Sequence, residues 1–238
     1  MTEEASDPSR APVALTREVL RDGWVQQMVA GGGYRVLSDA ELKASLDTAL
    51  AAHPADRDVW LFAYGSLIWN PAFHFVEHRI ATVHGLHRRF CLWTHLGRGS
   101  PDQPGLVLGL DRGGQCRGVA YRIAASEVEA ELDLVWRREM VTASYRPRWV
   151  RAASGAGPMR VLTFVINRAH ERYARGLGEE ELIRTLATAR GALGSCAEYL
   201  SSTASHLKEL GIADAGLERL TSLVEARRRL EGASAPAG

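Results

Sequence analysis

Two short segments contain the residue types that could bind and transform a small molecule. The first, Tyr64-Gly65-Ser66-Leu67, follows an apolar run at residues 59–62 that predicts a buried β-strand. Glycine lets a ligand approach the main chain, and successive N–H groups at such a break can bind an anion such as a carboxylate. An ordinary turn after a strand has the same Gly-Ser pair, so both interpretations stay open. The aromatic residues around it favour a ligand pocket: Trp60, Phe62, Tyr64 and Trp69.

The second segment lies at the end of a predicted helix, residues 126–140, for which Ser126 is the expected N-cap. With 3.6 residues per turn, Leu132, Val135 and Glu139 share its apolar side. A buried carboxylate is costly without a partner, which leaves two interpretations of Glu139. It forms an ion pair with a neighbouring arginine, or it is a general base whose pKa is raised by burial.

Other catalytic chemistries lack their sequence patterns. The three cysteines, Cys91, Cys116 and Cys196, are far apart and form no CxxC pair, so neither a zinc site nor a disulfide framework is expected. The eight histidines form no metal-ligand motif. No nucleophile elbow, Walker loop or dinucleotide-binding motif occurs. We therefore expect neither a metal nor a cofactor.

The composition is typical of a globular protein and limits the classes of partner that we expect. A net charge of +1 over 238 residues predicts no attraction to nucleic acid or to an anionic membrane. No apolar stretch is long enough to span a bilayer, and the N-terminus does not resemble a signal peptide. Free thiols fit a reducing compartment. The expected location is the cytoplasm.

The elements expected around the two segments suggest an α+β fold. After polar residues 1–13, expected to be disordered, helices are predicted at residues 15–30 and from Ser38, where Glu41 completes a capping box. The predicted strands are residues 59–62, 80–86, 89–93, 106–110, 117–123, 144–150 and 160–165. The last predicted helices are residues 178–193, 196–210 and 213–230. Many short strands with one inserted helix predict a curved, barrel-like mixed sheet rather than repeated βαβ units.

This organisation predicts three parts of the chain. Residues 1–57 form an N-terminal tail and two-helix extension, residues 58–232 form the main domain with its helical C-terminal part, and residues 233–238 form a loose tail.

The two segments together resemble the ChaC family of glutathione-specific γ-glutamylcyclotransferases. The resemblance rests on the run from Tyr64 to Trp69, on Trp136-Arg137-Arg138-Glu139-Met140 and on Gly194-Ser195-Cys196-Ala197-Glu198-Tyr199-Leu200. Two further segments, residues 85–90 and 118–122, occur in the family's order. The resemblance covers residues 58–230 and implies a γ-glutamylcyclotransferase-like fold.

The resemblance implies a reaction that needs no cofactor. The α-amine of glutathione attacks its own γ-carbonyl, which forms 5-oxoproline and releases Cys-Gly. Glu139 would be the general acid and base, the main chain at Gly65, Ser66 and Leu67 would hold the γ-glutamyl end, and Tyr64 would shape the pocket wall.

The resemblance implies one further substrate contact and leaves several alternatives open. Tyr199 would close the pocket and hydrogen-bond the substrate. Met140-Val141-Thr142 replaces a lysine and glycines of eukaryotic members, so other γ-glutamyl amino acids or amines are alternative substrates. Two further alternatives are a non-catalytic small-molecule binding protein on the same fold and an interaction protein that docks through its N-terminal helices.

Overall fold

The computed structural model describes residues 12–233, with side chains up to Glu231. Residue contacts divide the chain into two units. The barrel unit consists of residues 14–89 and 108–173, and the helical unit of residues 12–13, 90–107 and 174–233. Of the tails predicted at residues 1–13 and 233–238, residues 1–11 and 234–238 lie outside the described residues.

Five strands form a closed mixed barrel in the order β1-β3-β2-β4-β5, which confirms the predicted fold class. The strands are β1 (Val59–Ala63), β2 (Glu77–Thr94), β3 (Gly105–Ile123), β4 (Tyr145–Ser154) and β5 (Gly157–Ile166). Strand β1 is antiparallel to β3 and parallel to β5. Leu61 and Leu162 face each other across the parallel pair, and both are completely buried.

The four short strands predicted at residues 80–123 are in fact two long ones. Residues 80–86 and 89–93 belong to β2, and residues 106–110 and 117–123 belong to β3. Gly85 and Gly113 adopt positive φ angles of 77° and 104° within these strands. Glycine tolerates this conformation, which lets each strand continue through the position.

The helix that carries Glu139 is α4 (Val128–Glu139), and it packs on the barrel through its apolar side. Trp136, fully buried, meets the ring of Phe164 edge-on at a centroid distance of 5.1 Å. The predicted N-cap Ser126 is wrong, because a 3₁₀ turn (Ala125–Glu127) precedes the helix and Glu127 is the cap residue. Asp58 instead accepts the N–H of Ala125 at 2.9 Å, which secures the start of this turn.

The N-terminal extension has three helices: α1 (Arg17–Arg21), α2 (Trp24–Ala30) and α3 (Asp39–Leu50). The single helix predicted at residues 15–30 is interrupted at Gly23, whose φ of 71° is left-handed. The predicted capping box of Ser38 and Glu41 is confirmed, with both reciprocal hydrogen bonds present.

Contacts from the extension reach α4. Both Nη atoms of Arg17 donate to the buried carboxylate of Glu131, with Nη2 at 2.8 Å from Oε1. Leu20 and Val25 pack with Leu134 in one buried apolar cluster. The extension therefore lies in the barrel unit and supports the helix that ends at Glu139.

The helical unit contains α5 (Glu179–Thr188), α6 (Cys196–Glu209) and α7 (Ala215–Ala233), which pack against one another, and a small hairpin of β6 (Arg190–Gly191) and β7 (Gly194–Ser195). Ser195 and Glu198 form a capping box at the start of α6. Asp214 accepts the N–H of Leu217 at 3.0 Å at the start of α7. Within the described residues, no helix is both long and apolar enough to cross a membrane.

Candidate active site

The turn that follows β1 is a short 3₁₀ helix (Ser66–Ile68) beginning directly after Gly65. The N–H of Ile68 donates to the carbonyl of Gly65 at 2.9 Å, and the Tyr121 hydroxyl donates to the carbonyl of Ile68 at 3.0 Å. The amides of Ser66 and Leu67 lie at the start of this turn, where N–H groups have no partner within the helix. The segment predicted to bind a carboxylate is therefore a hydrogen-bonded turn, and the binding itself stays a prediction.

Tyr64 is buried and lies between β1 and this turn. Its hydroxyl donates to the carbonyl of Phe164 at 2.8 Å. Its own carbonyl accepts from Nη1 of Arg88 at 2.9 Å, and the other Nη of Arg88 donates to the carbonyl of Arg117. Arg88 therefore holds the main chain at the turn.

Glu139 is the last residue of α4, and its side chain is 15% exposed. Leu132 and Val135, which the sequence predicts on the same side, are buried. Arg138 lies beside it, with Nε 3.1 Å from Oε1 of Glu139. Arg137 instead contacts Asp133 and Asp39, so the ion-pair interpretation holds for Arg138.

Arg138 also reaches the turn after β1, a contact that sequence reasoning did not predict. Its Nη2 donates to Oγ of Ser66 at 2.8 Å, and its Nη1 donates to the carbonyl of Asn70 at 2.6 Å. One guanidinium thus joins the Glu139 carboxylate to the Ser66 hydroxyl. Two segments far apart in the sequence form one cluster through it.

Burial raises the pKa of Glu139 above the ordinary glutamate value, and the positive charge of Arg138 opposes this rise. A carboxylate in these surroundings binds a proton more readily than an exposed one and still ionises beside a fixed cation. This is the property required of a group that first accepts and later returns a proton.

The residues directly after Glu139 are packing residues. Met140 and Val141 are 4% exposed, and Val141 belongs to the apolar cluster of Leu20 and Val25. The N–H of Leu37 donates to the carbonyl of Val141 at 2.8 Å. These contacts fix the main chain immediately after Glu139.

Tyr199 lies in the helical unit, on α6. It is 6% exposed, and its ring contacts that of Phe90 at a centroid distance of 6.0 Å. The guanidinium of Arg98 lies 5.5 Å from the centre of the Tyr199 ring. The contact of Tyr199 with the substrate stays a prediction.

The described residues contain no group of three or more histidine, cysteine or acidic side chains that could hold a metal ion. Cys91, Cys116 and Cys196 are all buried, and none of the three forms a disulfide bond. Burial raises the pKa of the Cys196 thiol to about 11, and this thiol bonds the main chain of Leu106. Such a thiol is protonated at neutral pH and is a poor nucleophile.

The barrel has known structural counterparts. The chain matches the crystal structure of a γ-glutamyl cyclotransferase specific to glutathione from yeast, with a TM-score of 0.67 and 20% identity. The match covers 73% of this chain and 98% of that chain. The fold is that of the γ-glutamylcyclotransferases.

Sequence comparisons give the family. The sequence model of the ChaC-like protein family matches residues 59–227. The chain is 38% identical to the glutathione-specific gamma-glutamylcyclotransferase of Escherichia coli, over 87% of this chain and 90% of that one. It is 31% identical to the glutathione-specific gamma-glutamylcyclotransferase 1 of Homo sapiens, over 71% and 78%. The chain belongs to the ChaC-like family.

Proposed function

We propose that this protein is a glutathione-specific γ-glutamylcyclotransferase, which converts glutathione to 5-oxoproline and Cys-Gly. The observation that carries the proposal is the placement of Glu139, whose carboxylate is joined through Arg138 to the turn at Ser66. Membership of the ChaC-like family supports the reaction, and the names of the relatives from Escherichia coli and Homo sapiens support the substrate.

The reaction is an intramolecular amide exchange. A bond forms between the α-nitrogen and the γ-carbon, and the bond from the γ-carbon to the cysteine nitrogen breaks. Of the three hydrogens on the α-ammonium group, one stays on the lactam nitrogen and two pass to the leaving nitrogen. No water, electron or external nucleophile is consumed, so the protein must only fold the substrate and move protons.

Glu139 moves these protons in the proposed mechanism. As a carboxylate it accepts a proton from the α-ammonium group, which frees the nitrogen for attack. As a carboxylic acid it returns that proton to the leaving nitrogen, and after the attack it carries the second proton from the lactam nitrogen in the same way. Its raised pKa brings the two forms closer in energy at neutral pH, which favours a group that must alternate between them.

The turn at Gly65, Ser66 and Leu67 holds the γ-glutamyl end in this mechanism. Its main-chain amides are donors that suit a carboxylate. Tyr64 forms the wall beside them, since its hydroxyl is engaged with Phe164 and its ring is buried. A substrate held folded in this way has its amine close to the γ-carbonyl.

The product assay that tests this function uses the purified protein and glutathione. We expect 5-oxoproline and Cys-Gly in equal amounts. A parallel panel of γ-glutamyl amino acids and γ-glutamylamines tests the substrate class. Turnover of the panel without turnover of glutathione would contradict the proposed substrate, and no 5-oxoproline from any compound would favour a non-catalytic binding protein.

We further propose that the protein acts in the cytoplasm. The three cysteines form no disulfide bond, which supports a reducing compartment. Fractionation of cells that carry a tagged copy of the chain tests this location, and recovery with an oxidising compartment would contradict it.

A further inference from the structure

Arg138 lies between the two parts of the site and is almost completely buried, with its side chain 6% exposed. Each of its three nitrogens meets a protein group: Nε the carboxylate of Glu139, Nη1 the carbonyl of Asn70 and Nη2 the hydroxyl of Ser66. The planar guanidinium presents its donors in fixed directions, so these contacts define one position for the group.

We propose that Arg138 is a positioning residue, which fixes the Glu139 carboxylate relative to the Ser66 turn and acts through these two groups. The proposal rests on the cyclotransferase function proposed above. Its basis is geometric, because the guanidinium donates hydrogen bonds to Asn70 and Ser66 while its Nε lies 3.1 Å from the Glu139 carboxylate.

The contact with Ser66 also determines what the Ser66 hydroxyl does. Arginine has donors only, so Oγ of Ser66 is the acceptor in this hydrogen bond. The hydroxyl proton of Ser66 is therefore directed to another group. Arg138 thus orients a donor at the turn as well as an acceptor on α4.

The charge of Arg138 has a separate effect from its shape. It opposes the rise in the pKa of Glu139 that burial causes, so it helps keep the carboxylate ionised at neutral pH. Removing the charge should raise the pKa of Glu139 further. Keeping the charge but changing the shape should leave that pKa nearly unchanged.

Arg137 provides a matched control one position earlier on α4. Its Nε lies 2.8 Å from Asp133, and its Nη1 lies 3.0 Å from Asp39, so it contacts neither Glu139 nor Ser66 through these atoms. The same substitution at Arg137 removes an equal charge from the same helix. Any effect specific to position 138 must then arise from the contacts of Arg138.

The test measures kcat and KM for glutathione from pH 4 to 9 in the wild type and in Arg138→Met, Arg138→Lys and Arg137→Met. For Arg138→Met we expect kcat to fall about a hundredfold, because a small displacement of a catalytic group has this effect. We also expect the acid limb of kcat/KM to move to higher pH. Arg138→Lys should lower kcat with KM and the acid limb nearly unchanged, and Arg137→Met should match the wild type.

Several outcomes would overturn the proposal. An acid limb unchanged in Arg138→Met, or shifted equally in Arg137→Met, means that Arg138 does not act on Glu139. A large rise in KM with kcat retained means that Arg138 binds the substrate. If Arg138→Met does not fold, Arg138→Lys decides, because a wild-type kcat there excludes positioning by the guanidinium. A wild type without turnover contradicts the proposed function itself and not this inference.

Discussion

Glu139 combines two conditions that a proton-transferring carboxylate needs. It lies at the end of a helix whose packing fixes it, and its pKa is raised by burial while a neighbouring arginine limits the rise. An exposed glutamate would be a weaker base, and a fully buried one without a cation would stay protonated. The balance between these effects makes Glu139 the proposed acid and base.

The first prediction concerns Glu139→Gln, which keeps the shape of the side chain and removes the base. We expect 5-oxoproline formation from glutathione to fall at least about a hundredfold, because proton transfer by a side chain contributes about 10²–10⁴-fold. Thermal melting of the variant should match the wild type. Near-normal turnover in this variant would exclude Glu139 as the base.

The second prediction concerns the pH dependence of the wild type. Attack requires the ionised form of Glu139, so kcat/KM should decline as the pH falls through the pKa of the free enzyme. Because this pKa is raised, the decline should occur above the ordinary glutamate value of about 4.3. A pH–rate profile measures it, and a decline centred at or below that value would contradict the effect of burial.

At this scale the sequence predicts the local features of the candidate site. The helical spacing of Leu132, Val135 and Glu139 identifies the carboxylate, and the break after the apolar strand identifies the turn. The bond from Arg138 to Ser66 could not be predicted, because it joins residues 72 positions apart. Side-chain contacts over such separations depend on how the elements pack.

The N-terminal helices support α4 by a buried ion pair and by apolar packing. Glu131 is on the same helix as Glu139. Its carboxylate accepts hydrogen bonds from both Nη atoms of Arg17 and from the N–H of His74. The alignment with the Escherichia coli relative covers 87% of this chain, which is longer than the stretch from residue 59 to residue 238. It therefore includes part of the extension.

The third prediction concerns Arg17→Met, which leaves the Glu131 carboxylate buried without its main cation. We expect a loss of about 3 kcal/mol in the free energy of unfolding, as is usual when one partner of a buried pair is removed. Urea denaturation at pH 7 measures the loss. The control is Arg35→Met, whose ion pair with Glu41 is exposed and should contribute much less than the buried pair. Equal losses in the two variants would contradict the support proposed for α4.

Sequence patterns predict these helices better than their ends. The capping box at Ser38 was predicted because its residues are local. The break at Gly23 was missed, because apolar spacing continues on both sides of it. The start of α4 was missed because Asp58, which binds the N–H of Ala125, is 67 positions away.

At the scale of the whole molecule, the barrel depends on strand pairings that local sequence patterns do not predict. The alternation of short strands and glycines predicts a curved sheet, but the order β1-β3-β2-β4-β5 joins strands distant in the chain.

Buried carboxylates lie within this barrel unit. Asp111 is completely buried, and it accepts from Arg168 at 2.6 Å and from Tyr173 at 2.8 Å.

The fourth prediction concerns stability in acid. Burial alone would raise the pKa of Asp111, but hydrogen bonds from Arg168, Tyr173 and the main chain outweigh it and lower the pKa. The unfolded chain then takes up the proton first, so the free energy of unfolding should fall as the pH drops below about 5. Denaturation by urea at pH 7, 5 and 4 tests this. In Asp111→Asn the dependence should weaken, whereas Glu179→Gln, at an exposed and solvent-screened pair, should weaken it much less. An unchanged pH dependence in Asp111→Asn would contradict this contribution.

The measurement that tests the central claim most directly is the fate of the γ-carbonyl oxygen during turnover of glutathione in H₂¹⁸O. An intramolecular attack uses no water, so we predict one 5-oxoproline per Cys-Gly, both without ¹⁸O from the reaction. Free glutamate carrying ¹⁸O in its γ-carboxyl group would show hydrolysis instead, and would contradict a cyclotransferase in which Glu139 serves the substrate's own amine.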